Sequence, residues 1–489
     1  MKNFLRKSIY TKITLVVFIF FLFIGGFSIS KQYELFDTEI IFGPYTQNVT
    51  NTSITIVWET NIKTNNNRVE YGQTTTYGYI EYGKSDTYHH EITIHPTFSS
   101  GHYKVISDDI ESDDFEFKIE RYCQETGSFT CVLYGDSRGV WDNWTHATQV
   151  ATAINQDHPD FAIHLGDMVN NGTINSEWTS WLNLMKPLMQ NTTVFGVLGN
   201  HEQNADRYFE IFALPHNEKW YSFDYGPCHF TILDQYAPWT VFSPQYRWLK
   251  QDLSTTKKPL KIVCLHAPIF SSEGEGHKPR VDIRAIWEPI FSQYNVNLVL
   301  QSHNHNYERT NPINGITYIV SGGGGGPLYM PGNADFINTS KMAYHYCLLN
   351  VSVVHNNIAV TIKGINEEIY DDFIINTTRP PSPDIKISKP DKALYIFNQK
   401  IREYSLRRSS IIVGKIDIET STSQNNLEQV EFYFDGELEK SEYDAPYIHA
   451  WNKTYWNSTA IFFRHYIEIL AYDHFENIAY DKQIVWRFL

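Results

Sequence analysis

Phe129-Thr130-Cys131-Val132-Leu133-Tyr134-Gly135-Asp136-Ser137-Arg138 and Phe161-Ala162-Ile163-His164-Leu165-Gly166-Asp167-Met168-Val169-Asn170 share one grammar, an apolar run that breaks into Gly-Asp. A short apolar run bounded by a turn residue reads as a buried strand. Between the two runs, Ala147, Val150, Ala151 and Ile154 recur at helical spacing. After the second, Trp178, Trp181, Leu182 and Met185 do the same. Strand alternating with helix indicates a layered α/β domain.

Three further strand candidates lie downstream: Val194 to Leu198, Lys261 to Leu265 and Asn297 to Leu300. Each ends in a polar motif: Gly199-Asn200-His201-Glu202, His266-Ala267-Pro268, and Ser302-His303-Asn304-His305. Loops at the carboxyl ends of such strands converge on one crevice. The five motifs together supply carboxylate, amide and imidazole groups and no thiolate, a donor set for hard or borderline divalent and trivalent metals rather than a structural zinc knot. Taken singly, each has a plain structural explanation. Asp136 or Asp167 after a strand could cap a helix or make a turn, His266 could be a hydrogen-bonded core residue, and Gly199-Asn200 could be a tight turn. Five such motifs, all at strand ends and in this order, favour a metal site.

Working outward, residues 31–122 read as short strands separated by turns, including Ser53 to Trp58, Arg68 to Gly72 and Phe115 to Ile119, which predicts a small β-sandwich. Beyond the proline-rich stretch Thr378 to Pro383 the β texture returns. Ile411 to Ile418 alternates, Val430 to Phe434 runs into the hairpin pair Asp435-Gly436, and His465 to Leu470 is another strand. Residues 379–489 therefore read as a second sandwich, with no catalytic constellation. The central α/β domain spans 123–378.

The first thirty residues carry Lys2, Arg6, Lys7 and Lys12 ahead of an apolar run from Ile13 to Ile29. This is an export signal, or an uncleaved membrane anchor, and in either case the remainder faces away from the cytoplasm. Five cysteines form no disulfide framework, although Cys123 and Cys131 are near enough in sequence to pair. Asn-x-Ser/Thr sites such as Asn48, Asn191, Asn350 and Asn457 suit export. The 489 residues carry a formal net charge of -15, which argues against a nucleic-acid or anionic-membrane binder. Bound cations would reverse that charge locally, so a phosphate substrate is compatible with it.

The order Asp, Gly-Asp, Gly-Asn-His-Glu, His, His-x-His resembles the calcineurin-like metallophosphoesterases. Tyr307-Glu308-Arg309 after the last pair resembles the Tyr-Glu-Arg of the purple acid phosphatases within that group. The leading sandwich, with Val57-Trp58 and Val69-Glu70-Tyr71-Gly72, is similar to their fibronectin type III-like domain, whereas the trailing one is only loosely similar to exported Ig-like domains. The resemblance implies a four-layer catalytic core and two metal ions, drawn from iron, zinc and manganese. It implies Asp167 as the bridging ligand, Asp136 and His305 on the first metal, and Asn200, His266 and His303 on the second. His201 would hold the phosphate or protonate the leaving alkoxide. The implied reaction is phosphate monoester hydrolysis by metal-activated water. A phosphodiesterase or pyrophosphatase on the same site is the rival reading. A non-catalytic cell-surface binding protein, with the trailing domain holding a surface partner, is the other.

The chain departs from that pattern at two places. Asn170 stands where purple acid phosphatases have a metal-ligating tyrosine, and Arg138 where many relatives have a histidine. Guanidinium has no lone pair to give a metal. Arg138 is therefore expected either to contact the substrate phosphate or to make a salt bridge on the rim. His277 reads first as an exposed loop histidine in the loop that the family turns toward substrate. Gly322 to Gly326 allows close backbone approach to the site or a flexible loop.

Overall fold

The computed structural model describes residues 37–377, 383–404, 409–423, 427–452, 464–474 and 477–488. The predicted export segment, most of the proline-rich stretch and Asn457 lie outside them. Among the described residues no helix is long and apolar enough to cross a membrane.

Five strands carry the site loops: β1 (Ser128–Tyr134), β2 (Phe161–His164), β3 (Thr193–Gly196), β4 (Leu260–Cys264) and β5 (Leu298–Gln301). The order β3-β2-β1 is parallel, and β1 continues through an antiparallel pairing to His345–Ser352, Asn357–Gly364 and Ile369–Asn376, making a six-stranded mixed sheet. A second, seven-stranded sheet pairs Cys228–Ile232, β4, β5 and Thr317–Ser321 in parallel. Helices Thr145–Gln156 and Asn175–Met189, with the two apolar stripes predicted for them, bury those stripes in the core shared with the first sheet. Helices Pro244–Thr255 and Val281–Gln293 lie against the second.

The two sheets meet face to face through phenyl rings. Phe195 stacks on Phe223 at 3.9 Å and 9°, and Phe161 meets Phe223 and Phe230 edge-on. Residues pointing to both faces of β1 and β2 are therefore apolar, which is why those strands read as continuous hydrophobic runs rather than as alternation. Two facing mixed sheets with helices packed against them make the layered α/β core expected from the sequence.

The predicted strands are right in place but end slightly differently. β2 and β3 stop at His164 and Gly196, one or two residues before the apolar run does. The backbone turns left-handed just afterwards, at Gly166 and Asp167. Helix Pro244–Thr255 was not visible as an apolar stripe. It is marked instead by its start, with Ser243 accepting from the Tyr246 amide and proline in the first turn.

β-rich regions flank the core. Residues 40–118 form a three-stranded sheet (Ile40–Gln47, Ile54–Thr64, Thr87–Ile94) over a five-stranded one built around Asn67–Gly72 and Ser100–Ser107. They are fastened to the core by Tyr45 and Tyr103, whose hydroxyls donate to the Ile211 and Gln190 carbonyls, and by a two-pronged Arg207–Glu59 pair. The described residues between 386 and 488 form a seven-stranded and a three-stranded sheet. The predicted hairpin at Asp435-Gly436 is present, with both residues at positive φ, joining Leu427–Phe434 to Glu437–Glu442. The alternating run Ile411 to Ile418 is two strands rather than one, because Gly414 turns at φ +82° between them. All five cysteines are free and buried, so Cys123 and Cys131 do not pair.

This last region packs on the second sheet's helix layer. Arg284 of helix Val281–Gln293 holds both oxygens of Glu468, its Nε at 2.7 Å from Oε1, and its Nη1 donates to the Ile269 carbonyl. Tyr480 donates to the same carboxylate, and the Phe270 ring lies 4.5 Å from the guanidinium. Arg284 and Glu468 are thus both buried and answer each other's charge.

Candidate metal centre

All five loops leave the carboxyl ends of their strands on one edge of the paired sheets. Three of the predicted ligands begin with a strained backbone: Asp136, Asp167 and His303 sit at φ +60°, +56° and +67°. Aspartate tolerates that region better than most residues, whereas histidine adopts it less readily, and such outliers cluster at functional sites. The left-handed turn swings each side chain back over the strand end. Glycine makes room for this. A Cβ on Gly199 would lie 2.2 Å from Asp167 Oδ1, and one on Gly326 would lie 2.7 Å from the His305 ring, so the glycine-rich run does approach the site closely.

Asp167, His266 and His303 come together, with one donor atom from each within 4.8 Å of the others. Asp167 Oδ1 accepts the His201 amide at 3.0 Å. Its Oδ2 is buried without a hydrogen-bond partner and lies 3.4 Å from His266 Nε2. His266 donates from Nδ1 to the Leu165 carbonyl, which turns Nε2 inward, 3.0 Å from His303 Nδ1. A buried, unanswered carboxylate oxygen facing two imidazole nitrogens is what a cation would satisfy. These residues fit a metal ion.

Burial opposes charge on His266, but the Asp167 and Asp136 carboxylates outweigh it and lift its pKa to about 9. For His303 burial wins, reinforced by the charge on His266, and its pKa falls to about 3. Asp136 and Asp167 are held below the ordinary carboxylate range against their burial, the first chiefly by His305 and the second by His266.

Asp136 and His305 form the other side of the crevice. Asp136 Oδ2 accepts from Ser302 Oγ and from the His303 amide at 2.7 Å, and its Oδ1 is buried without a partner, 3.3 Å from His305 Nε2. His305 donates from Nδ1 to the Pro327 carbonyl at 2.6 Å and stacks on Tyr329 at 4.4 Å and 8°. Its Nε2 accepts from Arg138 Nη2 at 3.1 Å. Arg138 Nη1 donates to His201 Nε2, while His201 Nδ1 donates to the Asn170 carbonyl at 2.6 Å. Arg138 is thus a buried bridge between two imidazoles, with its guanidinium 5.3 Å from the Trp141 ring, and it makes no salt bridge on the rim.

Asn200 is exposed, and its Oδ1 accepts from Tyr236 at 3.3 Å. His277 is an exposed loop histidine, as the sequence suggests, and its ring stacks on His303 at 3.9 Å. Its amide is held by Asn304 Oδ1 at 2.6 Å.

Two glutamates that sequence reasoning passed over hold the loops in place. Glu202 accepts the amides of Asp167, Met168 and Gly199 at 2.7–2.9 Å, so it fastens two site loops together. Burial, then the Asp167 charge, raises its pKa to about 7. Glu308 accepts both the amide and the hydroxyl of Ser272. Glu202 was in view as the last residue of Gly-Asn-His-Glu, but nothing in the sequence says that it faces inward. Tyr307 and Arg309 turn away from the crevice and share Asp371, at 2.6 Å each. In this chain Tyr-Glu-Arg therefore braces the site loop against a strand of the first sheet.

Residues 129–307 match the calcineurin-like phosphoesterase family. Among curated relatives, the chain is 26% identical over 283 residues to a phosphoenolpyruvate phosphatase of Allium cepa, covering 53% of this chain and 57% of the relative. It is 23% identical over 305 residues to the Fe(3+)-Zn(2+) purple acid phosphatase 12 of Arabidopsis thaliana, covering 55% and 64%. The chain thus spans somewhat more than half the length of these two relatives. Among solved structures, purple acid phosphatase PPD1 from yellow lupin, Lupinus luteus, superposes with a TM-score of 0.61 at 18% identity, covering 68% of this chain and 74% of that one.

Proposed function

Because residues 129–307 are a calcineurin-like phosphoesterase domain with purple acid phosphatase homologues, we propose that this chain is an exported hydrolase of phosphate monoesters. One observation carries the reading: the unanswered Asp167 Oδ2 beside His266 and His303. The proposed ligands are Asp136, Asp167, Asn200, His266, His303 and His305, with Asp167 shared between two ions of iron, zinc or manganese. When bound, such ions supply Lewis acidity and lower the pKa of water.

The chain's own residues would do the rest. Asn170 fixes the His201 tautomer and aims Nε2 into the crevice, 3.7 Å from Asp167. Protonated, His201 would deliver a proton to the leaving alkoxide as a general acid. Arg138, permanently charged, would offset charge on the transferring phosphoryl group. Trp141, Tyr236 and Tyr329 line the approach with aromatic surface. Asn170 in place of a tyrosine predicts that the holoprotein shows no strong tyrosinate absorption band in the visible.

We assign residues 31–122 as a fibronectin type III-like domain, 123–378 as the catalytic domain and 379–489 as an Ig-like domain. The basic start and apolar run of residues 1–30 would export the chain or anchor it.

The test is hydrolysis of para-nitrophenyl phosphate against bis-para-nitrophenyl phosphate by metal-stripped protein reloaded with manganese, zinc or iron. Metal-restored monoester turnover is expected, reduced on the order of 10²–10³-fold in Asp167→Asn. Faster diester turnover would move the protein to the phosphodiesterases. No turnover in folded, metal-loaded protein would overturn the enzymatic reading.

A further inference from the structure

The two halves of the crevice differ in what occupies their inward-facing lone pairs. Between His266 Nε2 and His303 Nδ1, 3.0 Å apart, the contact is imidazole to imidazole and no guanidinium enters it. At His305 one does. His305 Nδ1 is committed to the Pro327 carbonyl, so Nε2 holds the only lone pair the ring can give a metal, and Arg138 Nη2 occupies it at 3.1 Å. An imidazole nitrogen cannot accept from a guanidinium and ligate a cation with the same lone pair. Arginine does not lose its charge in proteins, so it cannot yield the position by deprotonation. The guanidinium also places a fixed positive charge beside Asp136, whose Oδ1 is the nearest free donor. The backbone of Asn170 is committed elsewhere, its N–H donating to Glu177 and its carbonyl accepting from His201.

From this arrangement we propose that Arg138 competes with a metal ion for the first site. The chain then holds one cation tightly, at Asp167, His266 and His303, and a second only weakly, when Arg138 is displaced from His305. This rests on reading the cluster as a cation site. Arg138 is gripped from three sides, by His305, by His201 and by the face of Trp141. The same fork that covers the His305 lone pair covers His201 Nε2. Filling the first site would therefore also release the proposed proton donor, so first-site loading and His201 availability rise together.

Manganese titrated into metal-stripped, full-length protein tests this, with bound metal counted after dialysis and affinities read by calorimetry. The wild type should retain about one equivalent, its second binding about 10–100-fold more weakly, the range by which outer-shell partners alter metal affinity. Arg138→Gln should strengthen the second equivalent by the same factor and leave the first unchanged. Arg138→Lys, which keeps the charge but cannot bridge two rings, should fall between them. Two equally tight equivalents in the wild type would overturn the proposal, as would an unchanged second equivalent in folded Arg138→Gln. If His266→Ala fails to abolish the tight equivalent, or no variant binds metal, it is the cation reading of the cluster that falls. The readout is metal count and affinity, so it is independent of which phosphate ester the enzyme cleaves.

Discussion

Arg138 and Arg284 are both buried, both reach across an interface, and both are stacked against an aromatic ring, yet they are held in opposite ways. Arg284 faces a carboxylate with two prongs, its third donor group finds a carbonyl, and Glu468 takes a further hydrogen bond from Tyr480. Arg138 faces two neutral-capable rings, and its Nε is buried without a partner. Charge answered by charge makes a fixed joint. Charge answered by lone pairs that have another use makes a joint that can open. Removing one member of a buried ion pair leaves an uncompensated charge, whereas parting a guanidinium from an uncharged ring leaves none behind on the ring.

The contrast is tested first where the expected effect is largest. Glu468→Gln should cost roughly 3–5 kcal/mol in denaturant unfolding, because Arg284 is left charged and buried. The double variant Arg284→Met/Glu468→Met should recover most of that loss. If the single variant is silent, the joint between core and trailing region is not held by this pair.

His229 provides an intermediate case. Burial lowers its pKa, but Asp224 at 2.7 Å and Asp252 at 3.0 Å more than reverse this and raise it from 6.5 to about 9. A folded-state pKa above the unfolded one gives stability that is fully present below pH 6.5 and lost as pH rises through 9. By linkage that is at most about 3 kcal/mol. Unfolding followed from pH 6 to pH 9.5 should show this decline in the wild type and a flatter profile in His229→Gln. The smallest effect is expected at Arg138. Arg138→Gln should change unfolding stability by only about 0.5–1.5 kcal/mol, because relief of a buried charge that has no paired carboxylate offsets most of the lost hydrogen bonding, while its metal binding changes. A cost comparable to that of Glu468→Gln would place Arg138 in the fixed class and count against its release.

Legibility in the sequence followed the range of the interactions. The five strand-end motifs were readable because apolar run and polar turn are adjacent in the chain, and the fold brings their loops to one edge by topology alone. The hairpin at Asp435-Gly436 was readable for the same local reason. The role of Arg138 was not, because its partners His201 and His305 lie 63 and 167 residues away, and both expected roles assumed an oxygen partner. The Tyr307–Arg309 brace on Asp371 and the Arg284–Glu468 joint likewise pair residues 62 to 184 apart, whose types alone fit any polar surface. The splitting of Ile411 to Ile418 turned on a single glycine at positive φ, a conformation that residue identity permits without requiring.

The cluster at the crevice draws Asp167 from the loop after β2, in the six-stranded sheet, and His266 and His303 from the loops after β4 and β5, in the seven-stranded sheet. An ion held there would rivet one sheet to the other, so neither half could bind it before the two have docked. Metal uptake would then be a late event in folding and a report on its completion. Each tenfold excess of free ion over its dissociation constant would add about 1.4 kcal/mol to the assembled state, and a chelator would lower the melting temperature without touching a single side chain.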